Sequence, residues 1–282
     1  MSVLSSQREF IDLRLDRLLP RSGFDPLADP VRAACFSGGK RARPILAMLS
    51  AAHFGGRELA ALDFGCALEM IHAASLILDD LPCMDDGALR RGKPTLHRRF
   101  GEDAAMLSAI ALLNQAYAAI IADDGLDAET RLRLGKLVAG AVGFGGLAAG
   151  QMRDLRDPAS VRDEASLTSL NHQKTGVLFV AALEGGAVIA GADNAACASA
   201  RLFADRLGFA FQLWDDLQDC TSTSEVMGKD ALQDEGRVTF VTLWGVERTR
   251  TKIKTVIDEA LAALGNPGCP MAVYALSLMP SA

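Results

Sequence analysis

The chain has 282 residues, half of them hydrophobic, with a formal net charge of -6 and an isoelectric point near 5.3. That length allows one large domain or two ordinary ones, each with a substantial core. The acidic balance excludes nucleic acid as a bulk partner, because phosphate backbones are bound by a surplus of Lys and Arg. Any phosphate chemistry must therefore be local.

Six cysteines are spread along the chain without a Cys-x-x-Cys pair. This spacing disfavours a zinc site or a disulfide framework and predicts reduced thiols. The opening residues, MSVLSSQREFIDLRLDRLL, carry charges throughout and lack the apolar core of a signal peptide. We therefore predict a cytoplasmic protein.

Apolar residues recur with helical spacing along most of the chain, and period-2 alternation never persists for more than a few residues. We predict helices over residues 5–19, 26–36, 39–54, 57–79, 101–122, 127–151, 163–192, 196–220, 237–264 and 270–278. Gly and Pro cluster between them, but no turn is long or polar enough to be an interdomain linker. The sequence therefore predicts an all-α fold and a single domain.

The first motif, GGKRARP, places Lys40 and Arg43 behind a glycine pair, which lets the backbone approach an anion. The next, LDDLPCMDDGALRRG, contains Asp79 and Asp85, which a regular helix would place about 120° apart. Pro82 interrupts the helical hydrogen bonds, so the chain can bend and bring Asp85 back toward Asp79. We predict an inward-facing acidic cluster followed by basic residues.

Residues 104–122 contain no charge and approach the roughly 20 residues needed to span a bilayer. Ser108, Asn114 and Gln115 interrupt the run, and alanine dominates it. Because all-apolar helices also occur in the cores of large soluble proteins, we favour a buried central helix and no transmembrane segment. The glycine-rich run 135–151 predicts close approach of a neighbouring element, since glycine otherwise costs helix stability.

A second acidic cluster lies in FQLWDDLQD, where Asp215 and Asp219 are one helical turn apart, with Asp216 beside them. Like charges at this spacing repel, so the arrangement is unfavourable unless a cation lies between them. Oxygen ligands in two such clusters favour Mg²⁺, whose shell is completed by water and phosphate oxygens. The substrate should then carry a diphosphate.

Seven motifs between residues 35 and 245 occur in the order GGKRARP, HAASLILDDLPCMDD, RRGKPTLH, GQMRDL, KTG, FQLWDDLQD and GKDALQDEG. In this the chain resembles the short-chain trans-isoprenyl diphosphate synthases of the polyprenyl synthetase family, and most of all the bacterial geranylgeranyl diphosphate synthases. The resemblance implies one domain over residues 1–282, with residues 1–30 as an N-terminal arm. It also implies a bundle of about ten or more helices around a central cavity, and a homodimer.

The resemblance implies about three Mg²⁺ ions bound with an allylic diphosphate. The implied metal ligands are Asp79, Asp80, Asp85, Asp215, Asp216 and Asp219. The implied contacts of the allylic diphosphate and of the reacting carbons are Arg90, Lys174, Lys229, Thr175 and Gln212. The implied contacts of isopentenyl diphosphate are Lys40, Arg43, His72 and Arg91.

The implied reaction is ionisation of dimethylallyl, geranyl or farnesyl diphosphate, followed by attack of the isopentenyl double bond and loss of a proton. The implied chain-length position is Ala74, with Ser75 beside it, where farnesyl-making bacterial relatives carry a bulky aromatic side chain. A small residue there predicts a geranylgeranyl product. The chain departs from the family at residues 237–241, RVTFV, and in a C-terminus without basic residues.

Three alternatives remain open. A farnesyl diphosphate synthase would share every motif and differ in product length. A catalytically silent subunit of a heteromeric synthase would usually have lost one acidic cluster, and both are intact here. A class I terpene cyclase would not need GGKRARP and would replace the second acidic cluster by a different metal triad.

Overall fold

The computed structural model describes residues 3–156, 163–221 and 238–279, which are largely helical. The helices are α1 (Val3–Leu18), α2 (Ala28–Cys35), α3 (Ala42–His53), α4 (Leu62–Asp79), α5 (Leu96–Phe100), α6 (Glu102–Ile121), α7 (Ala128–Val142), α8 (Leu147–Arg156), α9 (Glu164–Asn171), α10 (Val177–Ile189), α11 (Asn194–Thr221), α12 (Phe240–Trp244), α13 (Val246–Leu264) and α14 (Pro270–Ser277). A 3₁₀ turn, Glu58–Ala61, precedes α4, and a π-turn, His172–Gly176, precedes α10. The predicted all-α fold is confirmed.

Two short strands, β1 (Leu89–Arg90) and β2 (Lys93–Pro94), pair antiparallel. The prediction that the chain has no sheet is wrong for this hairpin. A strand of two residues is too short for a period of two to be visible in a sequence.

The chain packs as two compact units. Of the described residues, the first contains 3–45 and 61–135, and the second contains 46–60, 136–156, 163–221 and 238–279. The single domain over residues 1–282, with an N-terminal arm over residues 1–30, stays a prediction.

In the first unit, α4 packs against α1, α2 and α6. The centre of α4 is buried on nearly every side, which explains its almost uniformly apolar sequence. Ile11 and Leu15 of α1 are fully buried, so this helix is part of the core of the unit. The helix α4 ends at Asp79, shortly before Pro82, as expected for a residue that cannot continue a helix.

In the second unit, α11 packs along α10 and α13. Leu213 and Leu217 of α11 join Phe240 and Ile253 in a buried apolar cluster. Gly186 of α10 allows a close helix contact, because a Cβ at that position would lie 2.4 Å from the Ala47 carbonyl oxygen.

Three predicted helices are interrupted. The helix predicted over 237–264 is broken at Gly245, which separates α12 from α13. The helix predicted over 127–151 ends at Val142 and resumes at Leu147, because Gly143 and Gly146 form a turn between them. The helix predicted over 163–192 is broken by the π-turn. Close approach is confirmed at Gly150, where a Cβ would lie 2.7 Å from the Gln173 Cβ, but it is wrong for Gly135, Gly140 and Gly145, where a Cβ would meet nothing within 4 Å.

Within the part of the chain that the structure describes, three helical stretches are long and apolar enough to cross a membrane: Glu58–Asp79, Glu102–Ile121 and Ala128–Arg156. Length and composition alone do not indicate a span, and the third stretch contains the break between α7 and α8.

The buried helix predicted over 104–122 is only partly buried. Ala105, Ala109 and Leu112 lie in the core, whereas Leu107 and Ile110 are 53% and 55% exposed. Alanine suits both core and surface positions, so a run dominated by it does not reveal which face is covered.

Candidate active site

The chain turns back on itself where α4 ends. The Asp85 N–H donates to the Asp79 carbonyl at 2.9 Å. Within this turn, the N–H groups of Met84 and Asp86 both donate to the Leu81 carbonyl. Pro82 has no N–H to extend the helix. The backbone therefore makes the return that the sequence predicted, and it brings residues 79 and 85 together.

Asp80 is turned inward and binds Arg90. The carboxylate is 5% exposed and accepts bonds from the Arg90 Nε at 2.9 Å and Nη2 at 2.6 Å. Burial raises the pKa of Asp80, although the charge of Arg90 opposes this shift. Asp80 therefore holds the guanidinium that the sequence analysis assigned to the allylic diphosphate.

The β1–β2 hairpin presents the second arginine. Arg91 and Gly92 both adopt left-handed backbone conformations, with φ of 53° and 73°, as a type I′ turn requires. The Arg91 Nη1 donates to the Gly38 carbonyl and to the Ser37 hydroxyl at 3.2 Å. The hairpin is thereby tied to the GGKRARP loop.

Positive charge converges on His72 in the first unit. Partial burial and the charges of Arg43, Arg91, Arg90 and Arg41 hold the pKa of His72 well below its usual range. The pKa of Arg43 is also lowered, first by burial and then by Arg91. A neutral imidazole among arginines is suited to donate a hydrogen bond to an anion.

The π-turn in the second unit presents Lys174 and Thr175. Lys174 Nζ donates to the Asp154 carboxylate on α8 at 2.5 Å. His172 Nδ1 lies 3.2 Å from Asp205 Oδ1 on α11, and this carboxylate raises the pKa of His172. The π-turn is therefore held from two sides by ion pairs.

The acidic residues of α11 have different surroundings. Asp216 is 8% exposed and accepts bonds from Gln212 Nε2 at 2.8 Å and from the Phe240 N–H at 2.9 Å. Burial, opposed by these two bonds and reinforced by Asp215 and Asp219, raises the pKa of Asp216 to about 6. Asp215 and Asp219 are only partly buried.

The departure from the family pattern near residue 240 forms the start of α12. Thr239 caps this helix in a capping box with Thr242, and the Phe240 N–H binds Asp216. This segment therefore anchors α11 and needs no charged side chain to do so. Lys229 and Arg237 lie outside the described residues.

Within the described ranges, no group of three or more His, Cys, Asp or Glu side chains could hold a metal ion by itself. Mg²⁺ takes only one or two protein carboxylates and completes its shell with water and phosphate oxygens. Asp79, Asp85, Asp215 and Asp219 are partly exposed carboxylates of the kind that such an ion takes. The donor chemistry fits magnesium bound together with a phosphorylated substrate.

Ala74 and Ser75 lie on α4, one to two turns before Asp79. Ala74 is fully buried, whereas Ser75 is partly exposed and donates from its hydroxyl to the His72 carbonyl at 3.0 Å. Met70, one turn further back, is also fully buried. A side chain larger than that of Ala74 must therefore occupy space inside the first unit.

The sequence analysis missed Arg41 and Glu69, which form a buried ion pair at 2.8 Å beside the basic residues. A signal was present, because a glutamate in the apolar run of α4 requires a partner. Asp154 lies in the GQMRDL motif, but its bond to Lys174 was not predicted.

A surface cleft of about 710 Å³ opens in the second unit. Its walls include Glu164, His172, Asp205 and Lys252, and none of the predicted site residues. We do not associate this cleft with the candidate active site.

Both units thus carry, on helical elements, oxygen ligands and basic side chains of the class that handles metal-bound phosphorylated substrates. Residues 25–269 match the polyprenyl synthetase family. The chain belongs to this family.

The chain is similar to several known prenyl diphosphate synthases and transferases. It is 41% identical, over 260 residues, to the geranylgeranyl diphosphate synthase of Pantoea ananas, covering 90% of this chain and 85% of that protein. It matches the solved apo structure of an FPP/GFPP synthase from Zymomonas mobilis with a TM-score of 0.85 and 34% identity, over 98% and 96% of the two chains. A geranyltransferase from Helicobacter pylori, solved with magnesium and isoprenyl diphosphate, matches with a TM-score of 0.83 and 29% identity, over 99% and 97%.

Proposed function

We propose that this chain is a Mg²⁺-dependent prenyltransferase that condenses isopentenyl diphosphate with an allylic diphosphate and makes geranylgeranyl diphosphate. The observation that carries this proposal is the convergence of arginines on His72, close in the chain to the returning carboxylates at the end of α4. The family match and the similarity to the geranylgeranyl diphosphate synthase of Pantoea ananas support the reaction and the product.

Isopentenyl diphosphate binds to the basic residues of the first unit. Lys40 and Arg43 follow the glycine pair, Arg91 is tied to the same loop, and His72 remains neutral among them. A diphosphate brings the negative charge that such a cluster lacks, and arginine matches phosphate oxygens in a bidentate manner.

In this proposal, the acidic clusters bind the allylic diphosphate through Mg²⁺. Arg90, Lys174 and Lys229 bind its phosphate oxygens directly. The proposed metal ligands, which bind about three Mg²⁺ ions, are Asp79, Asp85, Asp215 and Asp219. Asp80 and Asp216, counted as ligands from the sequence, instead position Arg90 and anchor α12. Asp154 holds Lys174 in place.

Magnesium, when bound, neutralises the charge that develops on the leaving diphosphate. Arg90 and the two lysines bind the phosphate oxygens and keep them oriented. Thr175 and Gln212 direct hydroxyl and amide dipoles toward the reacting carbons, and the apolar side chains around them exclude water. The chain needs no side-chain nucleophile for this reaction.

We assign product length to α4, because the small side chain of Ala74 stands where farnesyl-making bacterial relatives carry a bulky aromatic one. The farnesyl alternative is kept because the Zymomonas mobilis neighbour is described as an FPP/GFPP synthase. The active protein is a soluble cytoplasmic homodimer in this proposal. The exposed apolar side of α6 supplies a surface for a second copy.

The test compares two adjacent aspartates in the first acidic cluster. Asp85→Asn removes a proposed metal ligand and should lower kcat/KM about 10²- to 10³-fold, the loss typical of one preorganised electrostatic contact. Asp86→Asn is the matched control, because Asp86 is exposed and pairs with Arg98 at 3.1 Å. It should change kcat/KM by less than about threefold, as for a surface ion pair.

Steady-state condensation rates with Mg²⁺ in excess give the comparison. Equal rates for Asp85→Asn and the unaltered protein would contradict the metal assignment. A purified wild-type protein without condensation activity would instead favour a silent subunit of a heteromeric synthase.

A further inference from the structure

Arg41 lies between the two residues that we assign to isopentenyl diphosphate in the GGKRARP loop. Its backbone adopts a left-handed conformation with φ of 52°, which is uncommon outside glycine. Unlike the exposed Lys40, Arg41 is only 5% exposed and points into the protein. The loop thus alternates a side chain directed outward with one directed inward.

The buried guanidinium joins two helices of the first unit. Arg41 Nε donates to Asp12 Oδ1 on α1 at 2.8 Å, and Nη1 donates to Glu69 Oε1 on α4 at 2.8 Å. Glu69 lies three residues before His72, about one turn of α4. The contact therefore ties the loop to the same turn of the helix that carries His72.

We propose that Arg41 is a positioning residue, which fixes the GGKRARP loop against Asp12 and Glu69 so that Lys40 and Arg43 meet isopentenyl diphosphate. This inference rests on the proposed assignment of that substrate to Lys40, Arg43, His72 and Arg91.

The burial of the Arg41–Glu69 ion pair supports a role in positioning the loop. A buried ion pair contributes little net stability, because desolvation offsets much of its attraction, but it fixes one arrangement of the groups it joins. Glu69 has fully buried apolar neighbours in Leu68 and Met70, so its charge requires Arg41. The strained backbone of Arg41 is held in place by the same two bonds.

The other tie on this loop is weaker. Arg91 also holds the loop, through Gly38 and Ser37, but its side chain is exposed, and solvent screens such contacts. Arg41 is shielded from solvent, so it remains a tie when Arg91 exchanges its contacts for a diphosphate. Glu69 additionally offsets the charges of the basic site, since its carboxylate opposes the lowering of the pKa of Arg43 and of Arg91.

The competing explanation is that Arg41 only braces α1 against α4. The chain offers a matched control, because Arg14 on α1 forms a bidentate ion pair with Asp63 on α4 at 2.6 Å. This pair joins the same two helices through residues outside the GGKRARP motif. Asp63→Asn therefore loosens the helix pair while leaving Arg41 in place.

The experiment measures KM for each substrate and kcat, with the other substrate saturating, together with melting temperatures. Arg41→Lys keeps the charge but loses the fork that bridges two carboxylates. It should raise KM for isopentenyl diphosphate about tenfold, the equivalent of about 1.4 kcal/mol, with kcat and the allylic KM changed less than twofold. Asp63→Asn should leave all three constants within twofold.

Asp12→Asn keeps the test valid if Arg41→Lys does not fold. The Asp12 side chain is 47% exposed, so the variant should fold and raise the isopentenyl KM about threefold. A parallel measurement, the rise in melting temperature with inorganic pyrophosphate in EDTA, should be smaller for Arg41→Lys than for Asp63→Asn.

Two results would overturn the inference. An equal rise of the isopentenyl KM in Arg41→Lys and Asp63→Asn would make Arg41 a general brace, and a fall of kcat alone would place its effect elsewhere. Arg43→Met distinguishes a failure of the positioning role from a failure of the proposed isopentenyl diphosphate site. If Arg43→Met raises that KM and Arg41→Lys does not, only the positioning role fails; if Arg43→Met has no effect, the substrate assignment fails as well.

Discussion

At the scale of single residues, the aspartates of the two acidic clusters have two different roles. Asp80 and Asp216 are buried and already hydrogen-bonded, to Arg90 and to the Phe240 N–H. Asp79, Asp85, Asp215 and Asp219 are partly exposed, and they are the metal ligands in our proposal. The buried pair orients neighbouring groups of the protein instead.

The His172–Asp205 ion pair predicts a pH-dependent contribution to stability. The pKa of His172 is raised above 6.5 by Asp205, so the native state binds a proton that the unfolded state releases. Stability from this pair is therefore fully present below about pH 6.5 and is lost as the pH rises through the native pKa. Because both side chains are more than a third exposed, the effect is at most about 1 kcal/mol.

His172→Gln should therefore lower the free energy of unfolding at pH 5.5 and leave it unchanged at pH 9, as measured by urea denaturation in EDTA. Asp205→Asn removes the other partner and should give a similar dependence. A loss in His172→Gln that is the same at both pH values would show that packing, and not charge, holds the π-turn.

The sequence was sufficient to identify the charged residues but not their partners. Asp215 and Asp219 were visible as a pattern, because like charges one helical turn apart require an explanation. Asp79 and Asp85 were visible because Pro82 lies between them and can bend the chain. The bonds of Arg41 to Asp12 and Glu69 join residues that are 29 and 28 positions apart. Local periodicity carries no information on such contacts, so they could only be found in the folded chain.

At the scale of helices, α4 combines two roles, because it carries Asp79 at its end and Ala74 in its buried interior. Ala74→Tyr would fill the space toward Met70 and should shift the main product from geranylgeranyl to farnesyl diphosphate. Chromatography of the dephosphorylated products measures this shift.

The control for Ala74→Tyr is Ala73→Tyr, a buried neighbour rotated by about 100° on the same helix. Both variants overpack the first unit and should lower the melting temperature. Only the change at residue 74 should shorten the product, and an unchanged product in a folded Ala74→Tyr would show that another side chain limits chain length.

The exposed side of α6 predicts self-association. Leu107 and Ile110 are about half exposed on a helix without charge in its centre. Ile110→Lys should convert a dimer into a monomer near the chain mass of 29.9 kDa, because a symmetric interface would bury both lysines.

Light scattering after size exclusion gives the mass. Val273→Lys on α14 is the control, since Val273 is 57% exposed and Ile110 is 55% exposed. It should keep the dimer mass. A wild-type protein of monomer mass would contradict the proposed homodimer.

Helix positions could be read from the sequence more reliably than the breaks within them. The glycines at 143 and 146 marked one break, but glycine within a helical pattern does not by itself specify a turn. The π-turn had no signal, since the extra residue per turn is accommodated by packing, including the close contact of Gly150 with Gln173.

At the scale of the molecule, each unit carries its own set of the residues that we assign to substrate and metal. The first contains the basic residues around His72 and the carboxylates of residues 79 and 85, and the second contains Lys174, Gln212 and the acidic residues of α11. The net charge of -6 conceals a local excess of positive charge in the first unit. There, the charges of four arginines together lower the pKa of His72. Overall charge therefore excluded nucleic acid without indicating the diphosphate sites.

The central claim is that the protein makes geranylgeranyl diphosphate, and sizing its products tests this most directly. The protein is incubated with Mg²⁺, isopentenyl diphosphate and, separately, dimethylallyl, geranyl or farnesyl diphosphate, and the dephosphorylated products are separated by length. We predict the twenty-carbon alcohol as the main product from every primer that is accepted, and no product in EDTA. Products that stop at fifteen carbons, or the absence of any product with Mg²⁺, would contradict the claim.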